Sequence, residues 1–330
     1  MKRWRIGLFT ECYRPIQNGI VASVDALAQT LCARGHDTAI VTPRMPGFDD
    51  DARNVVRLPS LPLPTRTAYR LTVPYLRASD GFSLVHAHSP FMTGALAAWY
   101  AHRRRVPLVF TYHTQLEAYA HYVPFEAHTT RAATALLTRT YANAADIVIV
   151  PTRAMELHLR TLGVEREIAV IPSGIDVAAF ARGRRSTTLR ERLGVAPHER
   201  MVLAVGRLER EKNFELALET FARAGISEAR LVLVGDGTHR AALERFAAQA
   251  GIAASVTFAR EFARDDLPDA YASADAFLFT SRSETQGLVL VEALAAGVPI
   301  VALDTPQTRD VLGGAGTLVE GNAAACAAAL

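Results

Sequence analysis

Two glutamates with seven residues between them, Glu284 and Glu292, frame the start of a helix in Ser-Arg-Ser-Glu-Thr-Gln-Gly-Leu-Val-Leu-Val-Glu-Ala-Leu-Ala-Ala-Gly-Val-Pro, residues 281–299. An apolar strand at 276–280 runs into a polar loop, and the spacing that follows predicts a helix over 287–296. Gly287 brings no side chain to that helix start, so the N–H groups of Gly287, Leu288 and Val289 are open to an anion. A carboxylate there has a plain use, because negative charge complements the helix dipole. Two carboxylates around an open N-terminus suit something more particular. They can accept hydrogen bonds from sugar and ribose hydroxyls while the N–H groups hold phosphate.

Further residues fit a phosphate-bearing ligand. Arg207 and Lys212 lie in Val-Gly-Arg-Leu-Glu-Arg-Glu-Lys-Asn at 205–213, just past a strand. Arginine offers a planar fork and lysine a mobile point charge, so together they can neutralise a diphosphate; taken alone they are two solvated charges. Asn18-Gly19, between the first strand and first helix, is a turn pair that tolerates positive φ and exposes N–H groups at a helix start. His86 and His88 alternate along one strand near its carboxyl end, and His113 ends the next strand. Three histidines at neighbouring strand ends allow a zinc site, but no acidic partner at metal-ligand spacing joins them, so buried, hydrogen-bonded histidines are the competing reading.

The elements that must position these residues alternate. In the first half, strands are expected at 6–9, 38–41, 54–58, 84–86, 108–111, 146–150 and 168–171, and helices at 21–33, 67–78, 92–104, 130–143 and 153–162. After Pro172 an irregular basic stretch, Arg-Gly-Arg-Arg-Ser-Thr-Thr at 182–188, reads as a linker. Alternation restarts with strands at 201–205, 230–234, 255–258, 276–280 and 299–302 and helices at 214–223, 240–250, 266–273 and 287–296; residues 323–330 form an alanine-rich stub, no more than the start of a helix. The pattern implies an α/β chain of two doubly wound, Rossmann-like parallel-sheet domains, residues 1–172 and 173–330, facing a cleft, with binding residues at the carboxyl ends of the strands. No sequence repeat links the halves.

Totals narrow the function classes. A chain of 330 residues suits two domains. Lys+Arg 36 against Asp+Glu 33 leaves +3, and no basic stripe interleaves with aromatics, which excludes nucleic acid as an expected partner. The three cysteines, Cys12, Cys32 and Cys326, lack metal or disulfide spacing, which points to a reducing, cytoplasmic location. The apolar run after the charged N-terminus spans only residues 6–9, too short for a signal peptide, and no run approaches the ~20 residues of a membrane span. Residues 58–71 are rich in proline and leucine, with Arg66, Arg70 and Arg77 near the polar side of the expected helix, and His102-Arg-Arg-Arg105 adds a second basic end. Such surfaces suit solvent, or peripheral docking on an anionic membrane.

Four separated motifs follow one another along the chain: the Asn18-Gly19 loop, Gly206-Arg207…Lys212, the Gly235-Asp-Gly-Thr turn, and Glu284-x7-Glu292 with Ala-Gly-Val-Pro behind it. Together they resemble the retaining glycosyltransferases of family 4, of GT-B fold. The resemblance covers nearly the whole chain. It implies transfer of a hexose from a nucleotide sugar with retention and without an essential metal or other cofactor. Gly19 matches the family's glycine loop under the donor phosphates, where Gly-Gly-Val is commoner than Asn-Gly-Ile. Gly206, Arg207, Lys212, Gly235, Gly287, Leu288 and Val289 would hold the diphosphate, Glu284 the sugar hydroxyls and Glu292 the ribose. Residues 258–262 fall where relatives contact the base through backbone atoms, with Arg260 in place of a usual glycine. Thr-Tyr-His-Thr…Glu-x-Tyr-x-His-Tyr at 111–122 is similar to glycolipid-forming members such as diacylglycerol glucosyltransferases. His113 would then touch the donor's sugar, with Glu117, Tyr119 and His121 bordering the acceptor. A UDP-glucose-like donor and a lipid acceptor head the expectations. A soluble or polyprenyl-linked glycan acceptor, a GDP-mannose donor, a nucleotide-sugar binding protein with little turnover, and a sugar-nucleotide epimerase are the rivals. Family chains continue into further C-terminal helices, so the second domain is expected to lack its last ones.

Overall fold

The computed structural model describes residues 3–48, 54–63, 70–73, 81–118 and 126–330. Two units separate, Met1–Gly174 and Ile175–Leu330.

In the first unit the elements run β1 (Arg5–Phe9), α1 (Gly19–Ala33), β2 (Asp37–Pro43), β3 (Val55–Leu58), β4 (Ser60–Pro62), β5 (Arg70–Thr72), β6 (Leu84–Ala87), α2 (Met92–Arg104), β7 (Leu108–Thr111), α3 (Ala127–Ala144), β8 (Ile147–Val150), α4 (Arg153–Thr161) and β9 (Ile168–Val170). Seven strands form one sheet in the order β3-β2-β1-β6-β7-β8-β9, every pair parallel. Parallel pairing needs long crossovers, and the helices supply them on both faces. Accordingly β1 is apolar on both sides: Ile6 and Leu8 join one core with Val24 and Ile40, while Phe9 joins another with Val85, Phe110 and Val148. Trp4 packs on the first of these cores, and Trp99 stands exposed on α2.

The helix expected over 67–78 is not formed where that stretch is described. Arg70–Thr72 is instead a strand, antiparallel to β4, with Ser60 opposite Thr72. Its side chains follow period two: Leu71 is exposed, whereas Thr72 is buried and donates its hydroxyl to Glu11. Arg70 Nε reaches Ser60 Oγ at 2.8 Å. Residues 64–69 and 74–80, with Arg66 and Arg77, lie outside the described residues.

The second unit runs α5 (Val177–Ala181), α6 (Thr187–Arg192), β10 (Arg200–Val205), α7 (Phe214–Ala224), β11 (Ala229–Val234), α8 (Arg240–Gln249), β12 (Val256–Ala259), α9 (Leu267–Ser273), β13 (Ala276–Phe279), α10 (Leu288–Ala296), β14 (Ile300–Leu303), α11 (Pro306–Leu312), β15 (Thr317–Val319) and α12 (Ala323–Ala329). Its six strands are ordered β12-β11-β10-β13-β14-β15, again all parallel. Met201 and Leu203 of β10 face one core, and Val202 and Ala204 the other.

The basic stretch 182–188 does not link the units freely; it packs on the second one. The Arg184 N–H donates to Asp269 Oδ1 at 2.8 Å, Arg185 pairs with Asp275 at 2.8 Å, and α6 begins within the stretch under a Ser186 cap. The alanine-rich tail is a helix, α12, capped by Asn322. Among the described residues no helix is long and apolar enough to cross a membrane.

Each sheet has one switch point. The chain leaves β1 for β2 on one side and for β6 on the other; β10 stands likewise between β11 and β13. Ligands of open parallel sheets bind beyond the carboxyl ends of the strands at such points.

Candidate active site

The loops that leave β10 and β13 are stitched together. Asn213 Nδ2 donates to the Thr280 carbonyl at 3.1 Å, and Thr280 Oγ1 returns a bond to the Asn213 carbonyl at 3.0 Å. The hydroxyls of Ser281 and Ser283 both donate to the Glu211 carbonyl, at 3.4 and 3.2 Å. Across this seam Lys212 Nζ meets Glu284 Oε1 at 2.5 Å, both side chains largely buried. Arg207 Nη2 donates to Glu211 Oε1 at 3.0 Å, and that carboxylate is only 2% exposed. Both expected cations are therefore seated on carboxylates rather than solvated.

The end of α10 completes this cluster. Gly287 caps the helix at φ +77 with no side-chain cap bond and no acidic residue in the first turn. A Cβ at Gly287 would lie 3.6 Å from Glu284 Cγ and 3.3 Å from Phe279 Cζ. Glycine is needed for the left-handed backbone and for this approach. The Lys212–Glu284 pair thus adjoins the open N-terminus carrying Leu288 and Val289.

The Arg207 loop is fixed from its other side by residues 235–238. Leu208 N–H donates to the Asp236 carbonyl at 2.9 Å, and His239 N–H to the Leu208 carbonyl at 3.0 Å. Glu209 accepts from Thr238 N–H at 2.9 Å and from its hydroxyl at 2.6 Å. Gly235 has φ +143, and a Cβ there would meet the Gly206 carbonyl oxygen at 2.0 Å. The glycines of this turn serve the crossing of two loops. Glu261, beyond β12, belongs to the same neighbourhood: burial and the Asp236 carboxylate push its pKa up, and Arg207 opposes them.

Glu292 lies within α10, buried, and accepts from Tyr271 Oη at 2.9 Å, with Arg264 at 3.9 Å from its other oxygen. Burial raises its pKa, while Tyr271 and Arg264 pull it down.

In the first unit Gly19 is the first residue of α1, but Asn18 before it is extended, at φ −162, not turned to positive φ. Its Oδ1 accepts the Val21 N–H at 2.9 Å, so the asparagine is a helix cap. Glu11, in the same loop, caps α2 from a distance: Oε1 accepts the Thr93 N–H at 2.8 Å, and Oε2 the Thr72 hydroxyl at 3.0 Å. Burial raises its pKa, and these bonds oppose that.

The histidines gather beyond β6 and β7. His86 Nε2 lies 2.6 Å from Thr111 Oγ1, and His88 Nδ1 lies 2.8 Å from His113 Nε2. The rings stack, His86 on His88 at 4.3 Å and His88 on His113 at 5.1 Å. Burial pushes the pKa of His86 down to about 3, that of His113 to about 4 and that of His88 well below its usual value, with the neighbouring rings adding to the shifts of His86 and His88. All three are neutral at pH 7. His86 engages Thr111 and His88 engages His113, and among the described residues no cluster of metal-ligating side chains forms. Glu117 Oε2 accepts from Tyr112 Oη at 3.2 Å, with His158 Nε2 3.7 Å away. Burial raises the Glu117 pKa, but the nearby His158 ring together with bonds from its own backbone and Tyr112 outweighs it and holds it low. Tyr119 and His121 lie outside the described residues.

The structure therefore brings Gly206, Arg207, Lys212, Gly235, Glu284, Gly287, Leu288 and Val289 into one cluster, with Glu292 turned to Tyr271. In the first unit, His113 and Glu117 both follow β7, and Gly19 opens the helix after β1. Sequence reasoning passed over Glu11, Glu211, Asn213, Ser281 and Ser283. Of these Asn213 alone carries a signal, as a cap-type residue just before the apolar start of α7.

The model of Glycosyltransferase Family 4 matches residues 17–179, and that of Glycosyl transferases group 1 matches residues 185–330. An alpha-monoglucosyldiacylglycerol synthase of Streptococcus pneumoniae is 32% identical over 325 residues, covering 93% of this chain and 73% of the relative. A GDP-mannose-dependent alpha-mannosyltransferase of Mycobacterium tuberculosis is 33% identical over 322 residues, covering 93% and 81%. The solved sucrose-phosphate synthase of Thermosynechococcus elongatus superposes with a TM-score of 0.79 at 23% identity, over 99% of this chain and 88% of that one, and shares the fold. Two parallel-sheet units of GT-B type, matched along nearly their whole length, make this chain a member of the family 4 glycosyltransferases, with a group 1 glycosyl transferase domain as its second half.

Proposed function

We propose that the chain transfers a hexose, with UDP-glucose as first-choice donor, to a lipid acceptor such as diacylglycerol, with retention of anomeric configuration and no essential metal. The observation that carries this reading is the Lys212–Glu284 pair set against the uncapped N-terminus of α10, with Arg207 held alongside. A diphosphate arriving there meets two cations and the first-turn N–H groups of Leu288 and Val289. These stabilise the charge that grows on the departing nucleotide, a role that a metal fills in other enzymes. Lys212 exchanges Glu284 for phosphate, and Glu284 turns its freed oxygen to the sugar hydroxyls. Glu292 offers its carboxylate to the ribose. In the first unit, Gly19 opens the phosphate-side loop, His113 presents its ring to the hexose, and Glu117, Tyr119 and His121 border the acceptor. No general base is assigned.

The lipid acceptor draws support from likeness to a protein named as a monoglucosyldiacylglycerol synthase. It draws more from the surface of the first unit. Leu61, Leu71 and Val73 are exposed on and beside the β4–β5 pair, Phe91 and Trp99 are exposed at α2, and Arg103, Arg104 and Arg105 end that helix. Apolar and basic groups together favour peripheral docking on an anionic membrane. A second reading, GDP-mannose as donor, has the mycobacterial relative behind it.

Calorimetric titration with UDP, GDP and ADP, metal-free and then with magnesium, tests the donor: UDP is expected to bind, magnesium to add little. Preference for GDP moves the reading to mannosyl transfer. Arg207→Ala and Glu284→Ala should each cut transfer at least ~100-fold with the fold intact; normal transfer by either variant places the site elsewhere. Binding without turnover would reduce the protein to a nucleotide-sugar binder. Failure to bind phosphatidylglycerol vesicles at low salt would remove the membrane surface from the reading.

A further inference from the structure

His88 is buried beside His113 yet meets neither donor nor acceptor in the proposed reaction. It stands just past β6, 3% exposed, its N–H bonded to the Phe9 carbonyl at 2.8 Å. Its ring is sandwiched between His86 and His113, and Nδ1 lies 2.8 Å from His113 Nε2. Its Nε2 is sealed from solvent and has no hydrogen-bond partner. A nitrogen so enclosed cannot meet a substrate; whatever His88 does, it does through His113.

A neutral imidazole carries one N–H and one lone pair. If His113 donated from Nε2, His88 Nδ1 would accept and the His88 proton would sit on the sealed Nε2 as a buried, unpaired N–H. If His88 donates from Nδ1, only a lone pair is left bare at Nε2. Orphaned buried donors are rarer in folded proteins than under-used acceptors. The second arrangement wins, and it obliges His113 to keep its own proton on Nδ1.

We propose that His88 is a positioning residue: it donates from Nδ1 to His113 Nε2 and so holds the His113 ring in one plane and one tautomer, with its proton on Nδ1. This rests on the assignment of His113 to the transferred hexose. An imidazole left to choose its tautomer and swing would meet the hexose in the wrong state or place for part of the time, which lowers turnover more than affinity.

The test uses the full chain and three variants. His88→Leu keeps bulk and removes the donor. His88→Asn places an amide where Nδ1 stands, and His88→Gln places one where Nε2 stands. With uniformly 15N-labelled histidine, two-bond proton–nitrogen spectra should show His113 protonated at Nδ1 in the parent chain and in His88→Asn, and shifted towards Nε2 in His88→Leu and His88→Gln. Turnover should fall about 10–100-fold in His88→Leu, the size of a ring displaced by up to ~1 Å, with KM for the nucleotide sugar changed less than ~3-fold, and His88→Asn should recover most of it. In a His113→Ala background His88→Leu should cost nothing further. An Nε2–H tautomer for His113 in the parent chain overturns the inference, as does an equal loss from His88→Leu with and without His113. If His113→Ala alone transfers normally, the assignment of His113 fails, and the tautomer spectra still decide whether His88 sets its proton.

Discussion

Replacing Gly235 by alanine tests whether the Arg207 loop is held by a backbone crossing. The added Cβ would sit 2.0 Å from the Gly206 carbonyl oxygen, 2.9 Å from its carbon and 3.7 Å from the Arg207 nitrogen. Side-chain carbons do not approach backbone closer than 3.0 Å, so the two loops must part by at least 3.0 − 2.0 = 1.0 Å. Two bonds span the gap being opened, Gly206 N–H to the Val234 carbonyl at 3.0 Å and Leu208 N–H to the Asp236 carbonyl at 2.9 Å. Losing or stretching them costs about 1 kcal/mol each, and an alanine at φ +143 adds strain of about 1–3 kcal/mol. A total near 4 kcal/mol corresponds to roughly 8–15 °C in melting temperature for a unit of this size. The control is Gly225→Ala, at φ +56 with nothing within 4 Å of the new carbon, which carries only the left-handed penalty of about 1–2 kcal/mol. Arg207 moves with the parted loop, and a displacement near 1 Å lowers kcat/KM for transfer about 100-fold. Scanning calorimetry and steady-state kinetics on both variants decide the matter. Gly235→Ala melting with Gly225→Ala and turning over normally would show that the crossing holds nothing.

Lys212→Met, Glu284→Gln and the double variant should reveal a coupling of about 1–3 kcal/mol in urea unfolding, less than the roughly 7 kcal/mol that Coulomb's law gives at 2.5 Å with an effective dielectric near 20, because both groups gave up water to meet. A coupling below ~0.5 kcal/mol would mean the two loops are joined by their other bonds alone. The buried histidines predict acid sensitivity. His86 near 3 and His113 near 4 bind protons less readily folded than unfolded, where 6.5 applies, and His88 shifts the same way. Their contribution is therefore complete above pH 6.5 and lost as pH falls through it, at up to ~1.4 kcal/mol per pH unit for each ring. The urea midpoint followed by circular dichroism should drop between pH 6.5 and 5, before carboxylates of ordinary pKa titrate; a flat profile there would mean that these rings are not desolvated.

The alternation of buried runs made both sheets legible, because a strand of an all-parallel sheet is apolar on each face and short, as 201–205 and 230–234 are. The helix start at Gly287 was legible too, since glycine with apolar residues after it announces an uncapped terminus. What failed was local spacing without its tertiary partner. Arg70–Thr72 reads as helical until Thr72 is seen buried against Glu11, and a three-residue strand has too few residues to show its period. The stretch 182–188 reads as a linker because its arginines look solvated, yet Asp269 and Asp275, some ninety positions on, hold it down. The seam around Lys212 was invisible for a related reason: Ser281 and Ser283 bind the main-chain carbonyl of Glu211, which any residue type would supply. At Asn18 the residue type was informative but its side chain went to a cap rather than a turn.

Trp4 and Trp99, the two tryptophans of the chain, both belong to the first unit, and the second unit contains one tyrosine, Tyr271, bonded to Glu292. The molecule thus comes with its optical labels already sorted. Indole emission during unfolding follows the first unit alone, whereas the heat absorbed in calorimetry comes from both. Coincidence of the two transitions would mean that the units melt as one body, and a gap between them would measure how far each stands by itself. Nucleotide bound through the second unit should raise the calorimetric transition whether or not the indole signal follows, so the difference in response to nucleotide separates binding from communication between the units.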